Sequence, residues 1–289
     1  MSTRTDRIHT RLTPVEPAAE RMPYWTRSTN PIVRRHLGLY WRTLPPEVRP
    51  VLQALAVWSG LLLVGALIPA MPFLIGSVII VSLFVLPVAL FAYAHVLVHI
   101  AISASAMMQE ERRNDTLNLL MATPMTLEQI LLGKVAAAVW RRMDDWILIT
   151  YAVALTLPPV LYGFYMAPWE SSGFVFALPL AVIAGLAASL LRLVVEPLMI
   201  GTLAVFIGAV VPYRSTAIIV SVALGAAYFF IYFLAAQLPF IYGATLRDGT
   251  VIPGSPALMV LFDFILPAAL PALITWGLLK LTVRALTRD

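Results

Sequence analysis

Well inside the apolar runs of this chain, the ionisable residues are few: His95 and His99, Arg192 and Glu196, and Asp263. His95 and His99 are spaced i,i+4, which puts both imidazoles on one helix face and within reach of one metal ion. No third ligand or Glu-x-x-His partner accompanies them, so a metal role is not expected. Arg192 and Glu196 share the same spacing and Pro197 follows at once. They read either as a buried ion pair or as the lip of a broken helix, where a transport pathway would touch the chain. Asp263 sits about six residues into the last apolar run and reads as a boundary or capping carboxylate, with substrate contact as the alternative.

Other chemistries are excluded by type. The chain has no cysteine, so thiolate metal sites, disulfides and cysteine nucleophiles are impossible. No Ser/His/Asp set stands out. Neither a G-x-x-x-x-G-K-[ST] phosphate loop nor a G-x-G-x-x-G turn is present, so ATP chemistry requires a second polypeptide. An enzyme is not expected, and no cofactor or nucleic-acid partner is expected in this chain.

The elements that would position these residues follow from composition. Of 289 residues 60% are hydrophobic and only 12% charged, about half the usual charge of a soluble domain. An all-α polytopic membrane protein is implied. A bilayer core about 30 Å thick needs about 20 apolar helical residues per crossing. Six runs qualify, at 51–69, 73–107, 146–161, 193–212, 215–236 and 257–283. The block 174–190 is read as a re-entrant or partly buried segment, or as an additional span, with a break expected near Arg192 to Pro197.

Orientation follows from basic residues. Residues 1–50 carry nine arginines against four carboxylates, and five Lys or Arg fall at 109–145. The connections at 70–72 and 162–173 have none. This alternation predicts the N-terminus and the 109–145 connection in the cytoplasm, and an even span count places the C-terminus there too. Residues 1–29, polar and aperiodic, read as a mobile tail; residues 30–289 read as one membrane domain.

Two polar stretches carry the most information. Asn30-Pro31 is a helix start, and over 30–48 Val33, Leu37, Tyr40, Trp41 and Leu44 share one face while Arg34, Arg35 and Arg42 share the other. Such a basic amphipathic helix before a span is expected to lie in the membrane interface; the alternative is a solvent-facing helix packed on the protein. In EERRNDTLNLLMATPMTLEQILLGK, residues 110–134, Asp115 caps a short helix bearing Thr116, Leu117, Leu119, Leu120 and Met121, Thr123-Pro124 forces a turn, and Thr126 with Gln129 has capping-box spacing. Exposed leucines rimmed by charge mark a docking surface; the alternative is a connector that packs them on its own chain.

That stretch resembles the loop between the second and third spans in permease subunits of type-two ATP-binding-cassette exporters, where an E-R-x-x-G-T-L-E-L-L-x-x-T-P signature precedes I-x-x-G-K. The matching residues are Glu110, Glu111, Arg112, Thr116, Leu117, Leu119, Leu120, Thr123, Pro124, Ile130, Gly133 and Lys134. Asn30, Pro31, Arg34 and Arg35 look like the family's connecting helix, and GAVVPYRSTA looks like its turn between the fourth and fifth spans. The likeness covers about residues 30–145. Asp115 and Asn118 stand where the family usually has glycine and glutamate.

The resemblance implies a coupling helix that seats in a separate ATPase subunit, which binds ATP and Mg, and a second permease chain beside this one. Leu117, Leu120 and Pro124 would then seat the knob, with Glu110, Glu111, Arg112 and Arg113 as rim ion pairs. Plasma-membrane export follows from the resemblance alone. The competing expectations are an ion-coupled secondary transporter centred on Glu196-Pro197 and a non-catalytic membrane anchor for a soluble partner.

Overall fold

The computed structural model describes residues 23–27, 30–37, 49–65, 67–68, 71–114, 116–170, 176–236, 243–245, 251–253 and 256–287. Apolar segments this long become helices because a helix satisfies every backbone N–H and C=O within its own segment, the condition for crossing hydrocarbon. The order is a 3-10 turn (Tyr24–Thr26), then α1 (Pro31–Leu37), α2 (Arg49–Gly65), α3 (Met71–Arg113), α4 (Thr116–Met121), α5 (Leu127–Trp140), α6 (Met143–Glu170), α7 (Ala177–Val210) and α8 (Arg214–Ala236). A two-stranded antiparallel hairpin follows, β1 (Gly243–Thr245) with β2 (Val251–Pro253), pairing Ala244 with Ile252. The chain closes with α9 (Pro256–Val260), a π turn (Leu261–Ile265) and α10 (Leu266–Leu286).

Five helices are long and apolar enough to cross a membrane: Val78–Arg113, Met143–Met166, Ala177–Val210, Arg214–Ala235 and Leu258–Leu286. α2 is a shorter apolar helix of 17 residues. Large side chains on α3 and α8 face outward, among them Phe84 (76% exposed), Phe91 (79%) and Phe230 (62%). Water does not support apolar surface on this scale, and hydrocarbon does. The chain is an integral membrane protein whose long apolar segments are all helical.

α7 is the centre. Of its most apolar window 39% is buried within the chain, against 17% for α3, α8 and the last helix. It packs against α3, α5, α6, α8 and α10. Close approach depends on missing side chains: a Cβ on Gly208 would lie 3.0 Å from Met108 Cβ and from the Ser105 carbonyl oxygen of α3. At Gly201 it would lie 2.7 Å from Val135 Cγ1 of α5. Larger residues at either site would force the helices apart.

The break expected near Arg192 to Pro197 does not occur; α7 runs unbroken through Pro197 from Ala177 to Val210, so the 174–190 block is not a separate re-entrant segment from residue 177 onward. The physical reason lies in another helix. Proline removes the donor that would bond the carbonyl four residues earlier, that of Leu193. The Trp146 indole Nε1–H of α6 donates to that carbonyl at 2.8 Å instead. A foreign donor replaces the lost hydrogen bond, and the helix continues. The other runs appear with shifted ends: α3 is longer than 73–107 at 43 residues, about 64 Å of helix, and α6 continues through Pro158 and Pro159 to Glu170.

Much of the tail and the second half of the 30–48 segment, including Trp41 and Arg42, lie outside the described residues, as does Asp115. Residues 23–27 correct the tail expectation, since Trp25 packs beside Val33, Leu37 and Trp140, and the Trp140 Nε1–H donates to the Thr26 carbonyl at 3.1 Å.

Candidate functional site: the polar junction at the 110–134 loop

The junction begins with local signals. The Ile32 N–H donates to Asn30 Oδ1 at 2.9 Å, capping α1. The Gln129 N–H donates to Thr126 Oγ1 while the Thr126 N–H donates to Gln129 Oε1, a complete capping box at the start of α5. Between them, the Thr123 hydroxyl and N–H both donate to the Leu120 carbonyl, closing the turn before Pro124. α3, α4 and α5 thus form a long helix, a short helix and a return helix.

Within Pro31–Leu37, the described part of the 30–48 segment, the apolar face of α1 is turned toward the protein. Ile32, Val33 and Leu37 are buried, and α1 packs on α5 with Ile32 against Gly133. Arg34 and Arg35 are exposed. The small residues Gly133 and Ala136 of α5 leave a surface that takes the Ile32, Val33 and Leu37 side chains, so the chain buries its own amphipathic face.

Glu111 also departs from expectation. It was expected on an exposed rim, yet it is 3% exposed. Lys134 Nζ of α5, fully buried, lies 3.3 Å from Glu111 Oε1. Arg35 Nη1 lies 3.7 Å from the same oxygen and His36 Nε2 3.8 Å. The Thr116 hydroxyl of α4 donates to Glu111 Oε2. One carboxylate therefore ties together α1, α3, α4 and α5. Four successive charged residues fan over about 300° of the helix, so they cannot all face one way.

Electrostatics at the junction follow from burial. His36 is pushed down to about 4 by burial and the neighbouring Lys134 ammonium, only partly offset by Glu111. Its imidazole is neutral at pH 7, so its approach to Glu111 is not an ion pair. Burial also pushes Lys134 below the ordinary lysine range, with Glu111 opposing the shift. The Arg141 guanidinium donates to the His36 carbonyl at 2.7 Å, closing the C-terminal end of α1.

Arg112 is turned inward as well, although part of it stays exposed. Its Nη1 donates to the Ala209 carbonyl at 2.6 Å. Gln109 Nε2 donates to the Gly208 carbonyl at 2.8 Å and also to that of Val211. The last turns of α3 therefore satisfy three carbonyls at the C-terminal end of α7, which an α-helix leaves without internal partners. Glu110 and Arg113 are exposed, as expected of a rim. Leu119 is 70% exposed and Leu120 half-buried; α4 carries Leu117, whose side chain is outside the described residues. Lys280 of α10 pairs with Glu128 at 2.6 Å and ties the last helix to the same junction.

The second polar cluster lies deep in the bundle, about 20 Å along α7 from Val210. Arg192 Nε meets Glu196 Oε1 at 2.5 Å, and the Tyr93 hydroxyl of α3 donates to Glu196 Oε2 at 2.9 Å. The Arg192 guanidinium carbon stands 4.5 Å from the centre of the Tyr232 ring and 6.0 Å from that of Phe229. The Tyr232 hydroxyl donates to the Phe262 carbonyl at 2.8 Å, beside Asp263 in the π turn. The i,i+4 pair was legible in the sequence; Tyr93 and the two α8 aromatics were not, because nothing in an apolar run marks which aromatic turns inward.

His95 and His99 touch edge to face, with ring centroids 4.4 Å apart. Among the described residues no group of three His, Cys, Asp or Glu could hold a metal ion. Comparison with family models, curated proteins and solved structures finds no match to this chain.

Proposed function

We propose that this chain is the membrane-spanning permease subunit of an ATP-binding-cassette transporter of the exporting type, working as a pair of permease chains with separate ATPase subunits that hold ATP and Mg. One observation carries the reading: the 110–134 stretch is a long helix, a short helix with an outward leucine and a capped return helix, all braced by Glu111. An outward apolar tip on a stiff base suits the transfer of a mechanical shift between subunits. Six crossings, the five long helices and α2, fit a plasma-membrane protein with both termini in the cytoplasm, in keeping with the basic residues before α2 and between α3 and α6.

In this mechanism closure of the ATPase pair displaces α4. Glu111 and Lys134 keep α3 and α5 in register with it, and the Gln109 and Arg112 hydrogen bonds pass the shift to α7. The test is extraction in mild detergent and identification of the subunits that co-purify, followed by ATP turnover of the complex. A stoichiometric subunit bearing a P-loop is expected, and Leu117→Ala with Leu120→Ala lowers substrate-coupled turnover while the complex stays folded. Normal coupled turnover in that variant contradicts the assignment.

The Arg192–Glu196–Tyr93 cluster favours a second reading, an ion-coupled transporter, because buried ionisable groups at mid-membrane mark ion pathways. Uptake into proteoliposomes driven by an ion gradient without ATP would support it over the first.

A further inference from the structure

Beside the junction, a polar cleft of about 810 Å³ opens between the end of α3 and the connection from α7 to α8. It is lined by Gln109, Glu110, Arg112, Arg113, Asn114 and the segment Pro212–Arg214. Its back wall is braced, because Gln109 Nε2 and Arg112 Nη1 donate to the last carbonyls of α7, while the rest of the exposed Arg112 guanidinium adds a third positive charge to the lining. The negative end of the α7 dipole is thereby covered. What remains open is cationic. Arg113 and Arg214 are both exposed, and among the described residues neither forms an ion pair; Glu110 supplies the one opposing charge in the lining.

The level of the cleft relative to the bilayer is set by α8. That helix has 23 residues, beginning at Arg214, about 35 Å of rise against a hydrocarbon core of about 30 Å. Its first residue therefore stands among the headgroups. Tyr213, 72% exposed, flanks it there, where amphipathic aromatic rings settle. The Tyr213 carbonyl accepts the Ala217 N–H at 2.9 Å, so α8 starts at the cleft and adds the positive end of its dipole to the guanidinium groups.

We propose that this cleft binds a phosphate-bearing anion, supplied by the headgroup of an acidic phospholipid in the bordering leaflet, with Arg113 and Arg214 as the binding cations. Guanidinium groups suit the task because their paired N–H donors match phosphate oxygens. The size of the cleft also suits a glycerophosphate group better than a lone ion. This inference goes beyond the transport reading and does not depend on it, since its readout is lipid binding and not ATP turnover.

The test is native mass spectrometry of the purified full chain, with any subunits that accompany it, titrated with phosphatidylglycerol and with phosphatidylcholine of the same acyl chains. Phosphatidylglycerol is expected to bind more tightly, and more so at low salt. Arg113→Gln with Arg214→Gln should weaken its binding roughly 30-fold, about a factor of five per arginine, and leave phosphatidylcholine unchanged. Arg113→Lys with Arg214→Lys should retain most of the preference, and Glu110→Gln should strengthen it. In parallel, thermal unfolding is followed with inorganic phosphate and glycerol 3-phosphate. Stabilisation by these that the double Gln variant loses supports the site and assigns it to a soluble phosphate; no stabilisation, with lipid preference intact, assigns it to the headgroup. Equal binding of the two lipids by the native chain, or unchanged phosphatidylglycerol affinity in the double Gln variant, overturns the proposal.

Discussion

Two buried carboxylates divide the polar work of this molecule. Glu196, in mid-bundle, takes its cation from its own helix, Arg192 four residues before it, and one hydrogen bond from Tyr93 of α3. Glu111, at the end of the bundle, takes Lys134 from α5, approaches Arg35 and His36 of α1, and accepts from Thr116 of α4. The first pair is local and braces one helix at its proline. The second joins four elements, so its loss should be felt as loosening of the whole 110–134 loop.

The largest effect is therefore expected at Glu111. Glu111→Ala leaves Lys134 as a buried cation without its carboxylate and should cost about 3–5 kcal/mol, read as a drop in the unfolding midpoint in detergent. Glu111→Leu with Lys134→Met removes both charges and should restore most of that stability. If the loop matters as a mechanical link, the double variant stays folded yet couples ATP turnover poorly.

A smaller effect is expected in mid-bundle. Tyr93→Phe removes one hydrogen bond to the buried Glu196 carboxylate, worth about 1.5–3 kcal/mol, and leaves the Arg192 pair in place. A loss at Tyr93 as large as that at Glu111 would erase the distinction between the two sites.

Trp146→Phe orphans the Leu193 carbonyl and should cost about 1–3 kcal/mol. Pro197→Ala supplies a backbone N–H at the right place, so the double variant should recover part of the loss. Additive losses would show that Trp146 acts through packing alone.

The smallest effect concerns pH. His36 is neutral in the folded chain down to about 4, whereas an unfolded histidine takes up a proton near pH 6.5. Between those values the unfolded state binds more protons, so stability should fall as pH drops from 7 toward 4. His36→Gln should flatten that slope at the junction and leave the Tyr93 region unaltered.

What the sequence made legible was local. The Asn30 cap, the Thr126 and Gln129 capping box and the Arg192 and Glu196 pair each lie within one helical turn, where spacing alone decides contact. Long-range partners were not legible. Glu111 stands in a run of four charges, and only the packing of α3 on α5 decides which of them turns inward. A signal was present at Lys134: a lone lysine in the apolar run ILLGKVAAAV needs a carboxylate from elsewhere. The continuity of α7 was hidden for a similar reason, since Pro197 announces a break and the donor that prevents it lies 47 residues away in Trp146.

The proposed function requires the tip of α4 to seat in an ATPase subunit. The most direct measurement places a photo-crosslinking residue at Leu119, irradiates intact native membranes and identifies the adduct by mass spectrometry. An adduct with a P-loop protein is expected, lost when Glu111→Ala loosens the loop. Adducts confined to lipid or to this chain itself, from membranes in which a crosslinker at an established subunit interface works, would contradict it.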